Sequence, residues 1–122
     1  MVCRVTVAKT QQLLAARAVV AERFLDRVKG LLGRQELPDG EAMVFPRCRS
    51  IHTLGMRFPI DAVFVNRDWR VVSVRDRVNP GRVVWPVSGA WGVIELSGGT
   101  LQKAGVQVGD QLWVAPESAS RG

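Results

Sequence analysis

Turn residues punctuate this chain so often that little of it can be anything but short strands. Pro38-Asp39-Gly40, Asn66-Arg67-Asp68, Pro80-Gly81 and the Gly-Asp pair at Gly109-Asp110 each separate short apolar runs, the pattern of a sheet built from many brief elements. Val2 to Val7 alternates with β-branched residues on one face and predicts a strand. Ala42 to Phe45, ended by Pro46, predicts a buried strand, and Ile60 to Val65 with Arg70 to Val74 predicts a hairpin around the Asn66 turn. Val83 to Val87 contains Pro86 and so predicts at best an edge strand. Trp91 to Leu96 predicts a buried strand, Leu101 to Ala104 a helical turn, and Gln111 to Ala115 a closing strand.

One stretch stands apart. Phe24, Leu25, Val28, Leu31 and Leu32 recur at helical spacing between charged residues, which predicts an amphipathic helix over Glu22 to Leu32 ended by Gly33. Gln11 to Val20 is ambiguous, since its Ala and Leu residues favour a helix and its Val19-Val20 end a strand. The fold class expected is α+β: a mainly antiparallel, barrel-like sheet packed by one or two short helices. With 122 residues the chain has room for one core, so residues 1–116 are expected to form a single domain and 117–122 a flexible polar tail.

Charge enters where function is asked about. Seventeen Lys and Arg against eleven Asp and Glu leave +6, and Met1 to Arg57 holds ten basic and five acidic residues while Phe58 to Gly122 holds seven and six. Such a field attracts nucleic acid or an acidic partner, but the arginines are scattered singly and also serve solubility. Arg4, Lys9 and Arg17 interrupt every early apolar stretch, so no signal peptide is expected, no run suffices to cross a bilayer, and the cytoplasm is the expected compartment. Cys3 and Cys48 have neither zinc spacing nor disulfide density and are expected to be reduced thiols.

His52 is the lone histidine, Asp61 follows a Pro-containing segment, and Glu95 lies between Ile94 and Leu96. A His with two carboxylates has the chemistry for a metal or for acid-base work if the three converge, although structural ion pairs imitate such sites. A carboxylate at Glu95 costs several kcal/mol, on the order of a buried ion, unless answered, and Arg27 or Arg34 on and after the helix are the expected partners. No serine has a nucleophile-elbow context, and the Gly30 and Gly98 regions reproduce neither a phosphate loop nor a dinucleotide fingerprint, so no cofactor is expected. Trp91 and Trp113 are expected in the core, whereas Trp69 and Trp85 are the candidates for an exposed stacking platform.

Arg27-Val28-Lys29-Gly30-Leu31-Leu32-Gly33-Arg34, then Met43-Val44-Phe45, Phe58-Pro59-Ile60-Asp61 and Val93-Ile94-Glu95-Leu96 with Gly105 to Asp110 follow in order. This set resembles the bacterial and archaeal family known as domain of unknown function 192, over roughly Leu13 to Val114. Ile51-His52-Thr53-Leu54-Gly55-Met56 departs from the family's aromatic-Trp-Met-Lys-Asn-Thr segment. The resemblance implies a compact, mainly β fold, favours a hairpin over a helix at Gln11 to Val20, and implies no reaction, cofactor or catalytic residue. Three functions follow as expectations. The first is a monomeric, non-catalytic ligand-binding or accessory module, with a small ligand or protein partner, whose cleft gathers Arg27, Arg34, His52 and Asp61. The alternatives are a metal-dependent hydrolase using His52 and Asp61, and RNA or single-stranded DNA binding through the basic N-terminal half.

Overall fold

A computed structural model describes residues 1–21 and 36–116. Seven strands form one sheet in the order β6-β5-β8-β3-β2-β1-β9. They are β1 (Val2–Val7), β2 (Gln12–Val20), β3 (Glu41–Phe45), β5 (Ile60–Val65), β6 (Val71–Val78), β8 (Gly92–Ser97) and β9 (Leu112–Pro116). The remaining strands, β4 (Ile51–His52) and β7 (Val83–Val84), pair only with each other. Among the described residues the one helix is short, α1 (Thr100–Ala104). The expected helix over Glu22 to Leu32 and the expected tail at 117–122 lie outside the described residues.

The mainly antiparallel expectation needs one correction. β2 runs parallel to β3, with Arg17 opposite Glu41 and Val20 opposite Val44. A parallel pair needs a long connection rather than a tight turn, and β2 ends at Val20 well before β3 begins at Glu41. The other ladders are antiparallel, including the β1–β2 hairpin that the family resemblance favoured.

The sheet curls until its end strands meet at one corner. Arg70 bridges Gln111, Val71 N–H donates to the Asp110 carbonyl at 2.8 Å, and Leu112 N–H donates to the Trp69 carbonyl at 3.0 Å. Asp110 braces this corner by accepting from the Gln107 amide at 2.8 Å and pairing with Lys9 at 2.9 Å. Burial alone would raise the Asp110 carboxyl, but that amide and that ammonium together bring it below the ordinary carboxylate value.

Why three strands carry almost unbroken apolar runs becomes clear from the two faces of the sheet. Inside the curl, Val44, Val63, Val65, Ile94 and Leu96 pack with Val5, Val7 and Leu112. On the other face Met43, Phe45, Ile60, Phe64 and Val93 pack beneath Ile51, Val78 and Ala90. Strands β3, β5 and β8 are therefore buried on both sides, which removes the alternation that a half-exposed strand shows. Each fully buried Val, Ile or Phe there contributes about 1.5–3 kcal/mol of hydrophobic stabilisation. At the margin, β6 exposes Arg75, Asp76 and Arg77, charges that discourage edge-to-edge pairing.

Trp113 corrects the sequence reading. It is 54% exposed, because β9 is an end strand whose alternation turns Leu112 inward and Trp113 out. Trp69 is half-buried against the inner core and stacks edge to face on Trp91, with ring centroids 5.6 Å apart.

Candidate functional site

The expected quartet lies only half within the described residues. Arg27 and Arg34 fall outside them. His52 is exposed on β4, where it pairs with Val83. Asp61 is fully buried, and its carboxylate is occupied by backbone. One oxygen, Oδ1, accepts from Arg77 N–H at 2.8 Å; Oδ2 accepts from Gly99 N–H at 3.1 Å and Leu101 N–H at 2.8 Å. These three donors come from two irregular places in the backbone. Across the β5–β6 ladder, Ile60 faces Val78 and Ala62 faces Arg75, so β6 carries an extra residue there, and Arg77 adopts a positive φ of 51°. Helix α1 meanwhile starts without a side-chain cap of its own, leaving first-turn amides to be satisfied from elsewhere. Asp61 thus holds a bulge and a helix start to β5 at one end of the sheet.

Glu95 is also buried, 6% exposed, between Met43 and Ala62 of the neighbouring strands. Among the described residues no hydrogen-bond or ion-pair partner answers its carboxyl, and the Arg27 and Arg34 partners expected from sequence lie outside them. Desolvation pushes its carboxyl up from 4.5 to about 7. Among the described residues no three His, Cys, Asp or Glu side chains gather as a metal-binding group. Cys3 and Cys48 form no disulfide; Cys3 is buried, and the Cys48 thiol donates to the Ser50 carbonyl at 2.9 Å.

A cleft of about 550 Å³ opens at the other end of the sheet, where β3 and β5 finish and β8 begins. Its walls include Arg47, Arg49, Asn66, Arg67, Asp68 and Trp91. Three segments deliver them. After β3 the chain turns at Pro46-Arg47, with Arg47 at φ 54°. The β5–β6 turn is organised by Asn66, whose Oδ1 accepts from the amides of Asp68 at 2.9 Å and Arg70 at 3.0 Å, an Asx-type arrangement. The third segment is pinned between them: Trp91 N–H donates to the Val65 carbonyl at 2.7 Å, and Cys48 N–H donates to the Trp91 carbonyl at 2.8 Å. Gly92 fits closely here, since a Cβ would sit 3.1 Å from the Phe45 carbonyl oxygen.

The electrostatics of this cleft are one-sided. Three guanidiniums and one carboxylate, Asp68, line it, and Arg49 and Arg67 make no ion pair among the described residues. At its wall the Trp91 Nε1–H is buried without an acceptor among those residues, a local cost of about 1–3 kcal/mol. Guanidinium groups present planar forks that match phosphate and carboxylate oxygens. Sequence reading missed these arginines because they are dispersed; the Asn66-Arg67-Asp68 turn and the Pro46 break were the available signals.

The fold has relatives. A protein of unknown function from Novosphingobium aromaticivorans is 27% identical, with a TM-score of 0.77 over 93% of this chain and 84% of its own. A protein from Sinorhizobium meliloti described as a "putative transcription regulator" is 20% identical, with a TM-score of 0.79 over 93% of this chain and 92% of its own; that likeness concerns the fold alone. A comparison with curated proteins finds no match. The model of domain of unknown function 192, described as an uncharacterized ACR, matches residues 5–114, almost the whole described sheet. On that match the chain belongs to the domain of unknown function 192 family.

Proposed function

We propose that this protein is a non-catalytic binding module for a small anionic ligand held between Arg47, Arg49 and Arg67. The observation that carries this reading is the meeting of the neighbouring Arg47 and Arg49 with Arg67 from the β5–β6 turn on one cleft with a single carboxylate. Like charges brought together repel, and a phosphate- or carboxylate-bearing ligand relieves that repulsion while using the guanidinium forks. The lining supplies charge and hydrogen-bond donors rather than a nucleophile paired with a base, which favours binding over a chemical step. His52 and Asp61 are not the centre of this ligand site: His52 projects from β4, and the Asp61 oxygens already accept three amides.

Thermal unfolding with pyrophosphate, citrate and an uncharged sugar tests the reading. At about a hundred times its dissociation constant, a bound anion adds about 2.7 kcal/mol and raises the midpoint by several degrees, whereas the sugar does not. The shift is lost in the Arg49→Glu/Arg67→Glu variant. Absence of any anion-dependent shift, or a shift of full size in the double variant, removes this reading.

A further inference from the structure

The cleft does not end at Trp91. Residues 48–53 run beside residues 82–91, joined by Val87 N–H donating to the Arg49 carbonyl at 2.8 Å, by the β4–β7 pairs Ile51–Val84 and His52–Val83, and by Thr53 N–H donating to the Arg82 carbonyl at 2.8 Å. Five residue steps at about 3.3 Å give a strip roughly 15 Å long, enough for two to three extended nucleotides. Thr53 locks its far end: the buried hydroxyl donates to the Asn79 carbonyl at 2.6 Å and accepts from Arg82 N–H at 2.9 Å.

The two sides of this strip differ in chemistry. Ile51 is buried in the outer core with Val84 packed against it, so their neighbours His52 and Val83 turn outward. Trp85, two residues beyond Val83, is 78% exposed, more than Leu54, Val108 or Trp113. Arg82 is exposed at one end of the strip, and Arg47 and Arg49 at the other. An open indole between exposed arginines at the two ends of the strip combines a stacking surface with phosphate contacts. A bilayer surface would meet the same charges, but its flat face cannot enter a 550 Å³ cleft, whereas successive phosphates of a strand can.

We propose that single-stranded nucleic acid lies along this strip, its phosphates held in the Arg47, Arg49 and Arg67 cleft and a base stacked on Trp85. The proposal rests on the cleft being an anion site and names the polymer that fills it. Recognition of this kind tolerates any base, because each offers a π face. Neutralising three phosphates of a single strand gives a salt slope near −2, so affinity falls about 20-fold between 50 and 200 mM salt.

Fluorescence anisotropy with labelled twelve-nucleotide oligo(U) and oligo(dT) tests it, beside the pyrophosphate melt. The wild type binds with that salt dependence; Trp85→Ala weakens binding about tenfold, Trp85→Phe retains most of it, and Arg49→Glu/Arg67→Glu abolishes it, with melting midpoints of the Trp85 variants unchanged. Equal affinity in wild type and Trp85→Ala overturns the stacking arrangement. If oligonucleotides fail while pyrophosphate still stabilises, the polymer is wrong and the anion site stands; if both fail, both readings fall. Trp85-dependent capture by phosphatidylserine vesicles without oligonucleotide binding also overturns the proposal in favour of a membrane surface.

Discussion

The two ends of the sheet treat charge in opposite ways. At the end where β5 begins, one carboxylate, Asp61, is buried and shared among three backbone amides from β6 and α1. At the end where β5 finishes, three arginines line an open cleft, and a buried indole N–H goes without an acceptor among the described residues. Backbone geometry differs to match: the first end has its positive-φ Arg77 amide bonded to Asp61, while the second has Arg47 and Trp69 at positive φ flanking the opening. A charge whose hydrogen-bonding capacity is consumed by its own fold holds structure together. Arg49 and Arg67, gathered in a concavity and making no ion pair among the described residues, are ready for a ligand.

That contrast is open to experiment, and its strongest test is at Asp61. Each amide bond to a carboxylate contributes about 1.5–3 kcal/mol, so Asp61→Ala is expected to cost about 4 kcal/mol or more, read from urea unfolding. Asp61→Asn, which keeps one acceptor, should cost distinctly less. A loss below about 1 kcal/mol in Asp61→Ala would place the structural burden elsewhere.

Glu95 gives the next largest effect, and it depends on pH. The folded protein holds the Glu95 proton up to about 7, whereas the unfolded chain releases it near 4.5. Between those values the unfolded state carries fewer protons, so stability falls as pH rises through the window and levels off above it. The difference of roughly 2.5 pH units corresponds to about 3 kcal/mol. Glu95→Gln should flatten this slope and stabilise the protein at pH 8 relative to wild type; an unchanged slope would show that another group sets it.

Gly92→Ala, at the cleft end, forces a methyl towards the Phe45 carbonyl and should cost about 2 kcal/mol by parting β3 from β8. Smallest of all is the expected stability change in Arg49→Glu/Arg67→Glu. Both side chains are exposed, so unfolding should move by no more than about 0.5 kcal/mol while anion binding disappears. A large stability loss in that variant would erase the distinction between the two ends.

Strand positions were legible where local pattern decides them. Val2–Val7 and Ile60–Val65 match their apolar runs to the residue, and the Asn66 turn announced the β5–β6 hairpin. What local pattern cannot carry is neighbour order. Trp113 was expected inside because its strand is apolar, but exposure follows from β9 lying at the margin of the sheet. The parallel β2–β3 pair was hidden for the same reason. Asp61 was legible as a residue with a task, but the amides that occupy it belong to Arg77, Gly99 and Leu101, far along the chain. Arg67 meets Arg47 and Arg49 because β8 alone separates β3 from β5, an adjacency written nowhere in the residues around them.

That central position of β8 also bears on how the chain is made. Translation delivers β1, β2 and β3, then β5 and β6, long before Gly92–Ser97 emerges. Until then the β1–β2–β3 and β5–β6 pieces have no strand to join them, and Val44, Val63, Phe45 and Phe64 lack the middle of both their cores. A nascent chain stopped before Gly92 therefore exposes two apolar sheet fragments, the kind of intermediate that chaperones hold. Completion of the sheet therefore waits on β8, and the arginine cleft closes into shape in the same step that zips the two halves together.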